Sequence, residues 1–312
     1  KGPDPLGVAG DFITAPEISQ MFGELLGFFV VTLWQQMGSP KEFTLLELGP
    51  GRGTLMADVL RVACRAEGFR DGLDLRLFET NPALIAEQNA RLEVYGAKWI
   101  DGFDKVGPGP LLVLANEFFD ALPIRQFVRA EDGWHERMIG TNNGRRVFGL
   151  NPTPIPASAM PDILADAEIN AVLEVGLASG EVMNRLATTV STQGGAILAV
   201  DYGYARTQTG ETLQGVRRHQ YADVLDAPGE VDLSAHVDFE ALGTVASKAG
   251  LAVQPLATQG QFLNRMGINE RASALIAANP GMATDISAAN QMGDLFKVFC
   301  AASPGLQPPG FA

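Results

Sequence analysis

A carboxylate followed by three glycines at alternate positions, Glu47-Leu48-Gly49-Pro50-Gly51-Arg52-Gly53, is the most chemically suggestive spacing in this chain. Glycine lacks a Cβ and accepts positive φ, so such a turn lets backbone come close to a ligand. The apolar run Leu45 to Leu48 precedes it, and an amphipathic pattern of Leu55, Met56, Val59 and Leu60 follows. The segment therefore predicts a strand, a tight turn and a helix start. Glu47 discriminates among nucleoside ligands. It would repel the pyrophosphate of a dinucleotide, but it suits the cationic, aminoacyl-bearing S-adenosylmethionine (SAM). The dinucleotide alternative also expects a second glycine pair at a helix N-terminus, where this chain alternates Pro50 and Arg52 with its glycines.

Acidic residues recur at the ends of the following strands. Glu79 closes the next apolar segment, where a carboxylate can accept from ribose hydroxyls. Asp101 follows a third short strand and could accept from an adenine amino group. Glu47, Glu79 and Asp101 in register beside a glycine turn are far more specific than the turn alone. We group Gly49, Gly51, Gly53 and Asn116 with them as cofactor-binding residues.

Asn116-Glu117-Phe118-Phe119-Asp120-Ala121-Leu122-Pro123 ends a fourth strand and is the expected catalytic edge. Methyl transfer needs an acceptor that is positioned, desolvated and relieved of its proton. A guanidinium acceptor is best held by carboxylates, which suits Glu117, with Asp120 sharing the work and Phe118 and Phe119 walling the slot. The plainer alternative is a helix cap with core aromatics. His236 is expected to open a late helix, either beside a plain cap formed by Ser234 or Asp238 or as a proton relay near neutral pH. His135 and His219 are expected at the surface.

The elements that must position these groups alternate. A helix within 15–37 is capped by Thr14 and ended by Gly38. After it come strand 44–48, helix 53–66, strand 74–79, helix 82–95, and strands 97–100 and 111–116. This pattern predicts a parallel sheet covered on both faces, with its ligand at the carboxyl ends of the strands. Residues 125–150 then predict an antiparallel meander, with turns at Asp132-Gly133 and Asn143-Gly144. A helix near 179–192 and a strand at 194–201 resume the sheet. Residues 202–235 show little periodicity and are expected to be a long structureless loop or lid. A helix at 236–249, a strand at 251–257, two helices within 269–293 and a strand at 295–302 follow. The expected partition is 1–40 (lid and helix), 41–124 (SAM-binding half), 125–192 (inserted meander and helix), 193–303 (rest of the sheet) and 304–312 (tail).

Net charge is −13, which argues against a nucleic-acid partner, because Lys and Arg neutralising phosphate supply most of that affinity. The longest apolar run, Phe28 to Trp34, is too short to cross a bilayer, so no membrane insertion is expected. The two cysteines, Cys64 and Cys300, read as buried reduced thiols. With three histidines and no Cys/His cluster, no metal site is expected. The chain opens on Lys1 rather than Met, so we expect a leading segment to be missing and read no targeting from it.

Taken together, Gly10-Asp11-Phe12-Ile13-Thr14-Ala15-Pro16-Glu17-Ile18-Ser19-Gln20, the Leu46–Gly53 turn, Asn116–Pro123, Asp201-Tyr202-Gly203-Tyr204 and Ala235-His236-Val237-Asp238-Phe239 resemble the MidA-like SAM-dependent methyltransferases. The resemblance implies an α/β, Rossmann-like seven-stranded methyltransferase fold with an inserted substrate-side subdomain and an N-terminal helical lid. It further implies methylation of protein arginine. The implied partner is the large hydrogenase-like subunit of respiratory complex I, met in the mitochondrial matrix of a eukaryote or the cytoplasm of a bacterium. The usual pair of acceptor-binding glutamates is not reproduced; only Glu117 and His236 look similar to those elements. A SAM-binding assembly chaperone without turnover and a small-molecule methyltransferase are the alternative functions.

Overall fold

The computed structural model describes residues 20–156, 159–160, 164–217, 220–278 and 295–311. The Gly10–Ser19 motif and its lid, His219, and the expected helical residues beyond 278 lie outside the described residues.

Strand β1 (Phe43–Leu48) is buried along its whole length, so its apolar side chains serve both faces of the sheet. Phe43 and Leu45 pack against helix α1 (Gln20–Gln36) and helix α2 (Thr54–Ala63), through Leu25, Phe29, Leu33, Met56 and Val59. Leu46 and Leu48 face the opposite layer, made by helix α5 (Leu177–Gln193) and helix α6 (Phe239–Lys248). Helices α3 (Phe69–Gly72) and α4 (Pro82–Leu92) lie between, and α7 (Gln259–Arg265) and α8 (Ile268–Ala278) follow. Truncating a fully buried leucine such as Leu46 to alanine would cost about 2–5 kcal/mol.

The other strands are β2 (Leu73–Phe78), β3 (Lys98–Ile100), β4 (Leu111–Asn116), β5 (Arg125–Ala130), β6 (Gly133–Asn142), β7 (Arg145–Leu150), β8 (Val172–Val175), β9 (Gly195–Tyr204), β10 (Gln214–Arg217), β11 (Gln220–Ala222), β12 (Asp232–Ser234), β13 (Val237–Asp238), β14 (Ala252–Val253), β15 (Ala257–Thr258) and β16 (Phe296–Ala302). Among the described residues, the main sheet has nine strands. Seven run in the order β14-β16-β9-β4-β1-β2-β3, and the two-residue strands β13 and β15 pair with β9 and β16. Strands β3, β2, β1, β4 and β9 are mutually parallel, and β16 runs antiparallel to β9. The chain leaves β1 toward β2 and β3, then returns to its other side as β4. That reversal opens a crevice at the carboxyl ends of β1 and β4, where open α/β sheets take ligands.

The meander expected at 125–150 forms within a second sheet, β7-β6-β5-β8, which has its own core of Phe127, Trp134, Leu164 and Leu173. His135 is a correction. It is buried, with its ring between Asn151 O and the Asp132 carboxylate. Residues 202–235 are a second correction. They are not structureless: β9 continues through Tyr204, and β10, β11 and β12 form a three-stranded antiparallel sheet. These strands are three or four residues long, too short to display a period-two pattern. His236 is a third. It does not open a helix: Asp238 caps α6 through Ala241 N, and His236 precedes β13, which pairs with Gly203 and Tyr204 of β9.

Candidate functional site

The turn after β1 is built on left-handed backbone, with φ +59° at Gly49, +54° at Gly51 and +78° at Gly53. Gly49 N donates to Phe78 O at 3.1 Å, tying the turn to the end of β2, and Gly53 N closes it on Pro50 O at 2.7 Å. Gly53 also caps α2, so the helix N-terminus opens onto the crevice.

Glu47 is 2% exposed, and its Oε2 has no hydrogen-bond partner among the described residues. Burial alone pushes its carboxyl up to about 8. A buried, unpartnered carboxyl carries a free-energy cost that native proteins rarely retain without a purpose. Asn116 Oδ1 is likewise buried without a partner, while its Nδ2 donates to Glu117 Oε1 at 3.1 Å. Two orphaned acceptors beside a glycine turn fit a ligand that brings donors, as the aminoacyl end of SAM does.

Glu79 is fixed by its own loop: Oε1 accepts from the amides of Thr80 and Asn81, both at 2.7 Å. A residue that sequence reasoning missed joins it to the turn. Gln88, wholly buried on α4, donates from Nε2 to Gly51 O at 2.7 Å and approaches Glu79 Oε2 at 3.4 Å. Its Oε1 accepts from Trp99 Nε1 at 2.6 Å. The only available signal was a glutamine on a helix between two strands, and it becomes informative only once the turn is folded beside it.

Asp101 stands apart. It follows β3, its side chain is 67% exposed, and it pairs with Lys105, whose ammonium holds the carboxyl below its usual range. Next to it, Phe103 stacks on Phe78 with ring centroids 4.9 Å apart, and Phe118 meets Phe78 edge-on at 6.2 Å. These rings run from the β3 end to the β4 end.

Glu117 has a left-handed backbone, φ +48°. Asp120 is 8% exposed; one carboxylate oxygen accepts from the Tyr202 hydroxyl and the other, Oδ1, is buried without a partner. Burial raises its carboxyl despite the tyrosine hydrogen bond. The imidazole of His236 meets the Tyr202 ring edge-on at 5.7 Å, and its amide donates to Thr212 Oγ1 at 2.9 Å. Burial lowers its pKa, so the ring is neutral at neutral pH and can accept a proton. A cavity of about 60 Å³ lies beside Phe119 and His236, lined also by Glu174, Ser179 and Tyr204. Glu174 is fully engaged there by Gln126, Thr212 and Leu213.

The structure thus brings Glu47, the three glycines, Glu79, Asn116 and Glu117 to one crevice. Asp120 and His236 join it through Tyr202. Among the described residues, no group of three or more His, Cys, Asp or Glu side chains is placed to hold a metal, and no helix is long and apolar enough to cross a membrane.

Comparison with known proteins identifies the family and the fold. Residues 25–257 match the family model described as "Putative S-adenosyl-L-methionine-dependent methyltransferase". The chain is 37% identical over 302 residues to the Danio rerio protein named Protein arginine methyltransferase NDUFAF7, mitochondrial, covering 88% of this chain and 71% of the relative. It is 35% identical over 300 residues to the Homo sapiens protein of that name, covering 88% and 67%. A Burkholderia thailandensis protein crystallised with S-adenosyl-homocysteine superposes with a TM-score of 0.84 at 26% identity, covering 98% of this chain and 84% of that one.

Proposed function

The chain belongs to this family of S-adenosyl-L-methionine-dependent methyltransferases, and on that premise we propose that it transfers the methyl group to an arginine side chain of a protein. SAM supplies, when bound, a methyl group already activated on a sulfonium sulfur. Glu47 would meet the aminoacyl end, the turn of Gly49, Gly51 and Gly53 would admit it closely, Glu79 would hold the ribose and Asp101 the adenine. The orphaned Oδ1 of Asn116 supports its place among the cofactor residues.

Glu117 holds the acceptor. A carboxylate grips a guanidinium through paired, charge-assisted hydrogen bonds, and Phe118 and Phe119 exclude water from it. Asp120 keeps one unpartnered oxygen on the same segment, which supports its sharing the acceptor. His236, kept neutral by burial, takes up the proton that the guanidinium loses. The observation carrying this reading is the position of Glu117: a left-handed residue at the end of β4, next to a phenylalanine that packs against the cofactor turn. The relatives' printed name, protein arginine methyltransferase, points the same way.

The test is incubation with methyl-labelled SAM, a cell lysate and, separately, the large hydrogenase-like subunit of complex I implied by the family resemblance. Labelled methylarginine in a protein band is the expected result. Label confined to protein-free metabolite extracts would replace the reading with small-molecule methylation. SAM binding without any label would replace it with a chaperone role.

A further inference from the structure

Glu117 adopts a backbone conformation that residues with a Cβ keep only where surrounding structure imposes it. Its own amide donates to Val200 O at 2.9 Å, so the chain is still paired to β9 where the turn begins. The next constraint comes two residues later. Asp201, 1% exposed on β9, accepts through Oδ2 from the amides of Phe119 at 3.0 Å and Asp120 at 3.3 Å. Its Oδ1 accepts from Tyr202 N at 3.0 Å. The Tyr202 hydroxyl then donates to the Asp120 side chain, and Ala235 N donates to Asp120 O at 3.0 Å. One dipeptide, Asp201-Tyr202, therefore grips both the backbone and the side chain of the segment that follows Glu117. The two amides converge on a single oxygen because the chain reverses at Glu117.

We propose that Asp201 is a positioning residue for Glu117: by accepting from the two amides after it, Asp201 fixes the left-handed turn that sets the Glu117 carboxylate beside Asn116. Tyr202 reinforces it by holding Asp120. The consequence for transfer rests on Glu117 being the acceptor-holding group; the consequence for the backbone does not. An alanine at 201 removes the acceptor of both amides, so the turn loses this anchor; an asparagine would not test it, because its one oxygen could stay on Phe119 N and Asp120 N while its NH2 faced only Tyr202 N.

The experiment uses the full chain with Asp201→Ala, Glu117→Gln and the double variant. Asp201→Ala is expected to lower methyl transfer about 10–100-fold while SAM affinity by calorimetry changes less than about threefold. In the Glu117→Gln background, Asp201→Ala is expected to add no further loss, because the group it positions is gone. Losses that multiply in the double variant would overturn the proposal. Should Asp201→Ala fail to fold, Tyr202→Phe tests the reinforcing bond to Asp120 in the same way, with an expected loss of about threefold to tenfold that also vanishes beside Glu117→Gln. A crystal structure decides the backbone half without any activity. In Asp201→Ala, Glu117 is expected to leave the left-handed region, and an unchanged turn would overturn the proposal. If the unsubstituted chain methylates no protein, the proposed function fails, and the crystal structure still decides whether Asp201 holds the turn.

Discussion

The ring of Phe118 lies against Gly49: a Cβ on that glycine would come within 3.0 Å of Phe118 Cδ2, on backbone at φ +59°. One contact thus joins the turn after β1 to the segment after β4, the two walls of the crevice. The contact packs the two walls of the crevice against each other.

Gly49→Ala follows directly. An L-residue held in the left-handed region costs about 1–2 kcal/mol, and here the added methyl also presses on Phe118. We expect a lower unfolding midpoint and SAM binding weakened at least about tenfold, measured by calorimetry. Wild-type affinity in a folded Gly49→Ala protein would show that the turn does not shape the cofactor site.

Glu79→Ala should remove hydrogen bonds to the ribose and weaken SAM binding by about 1.5–3 kcal/mol, the usual worth of a hydrogen bond to a charged group. Gln88→Leu tests the link behind it. It leaves Gly51 O and Trp99 Nε1 without their partner, so stability should fall by about 1–3 kcal/mol and SAM affinity should fall with it. Unchanged SAM affinity in Glu79→Ala would remove Glu79 from the site.

Glu47 makes a pH prediction with a definite sign. Its carboxyl is raised from an ordinary value of 4.5 to about 8 by burial. Between those values the folded state keeps a proton that the unfolded chain releases, so this group's contribution to stability falls as pH rises through that window and levels off above it. Glu47→Gln, which cannot ionise, should therefore gain stability relative to wild type from acid toward pH 8 in thermal melts; a constant difference would contradict the buried, protonated carboxyl. If the SAM ammonium pairs with this group, binding near about pH 7 should release a proton, and the calorimetric heat should vary with the buffer's ionisation enthalpy. Glu47→Gln should abolish that variation.

The central half of the fold was legible because its signals are local. Leu45 to Leu48, the three glycines and Leu55 to Leu60 each announce their own conformation, and the fully buried β1 reads as a continuous apolar run. The candidate site was legible to the same extent: Glu47, Glu79, Asn116 and Glu117 all sit at strand ends. What the sequence hid depends on distant partners. Gln88 and Asp201 look like ordinary polar residues until folding brings Gly51 and the amides of Phe119 and Asp120 to them. Strands β10 to β12 exist through pairing rather than pattern, so residues 202–235 read as a loop. The expected helix at 236–249 starts three residues later, at Phe239, because Asp238 is its cap, and this leaves His236 outside it.

The most direct test of the account is Glu117→Gln, followed by two readouts on the same protein sample. Calorimetry with SAM should give an affinity within about threefold of wild type, while mass spectrometry of the protein substrate should show methylarginine formation reduced at least about 100-fold. A Glu117→Gln protein that binds SAM and methylates arginine at the wild-type rate would contradict the account.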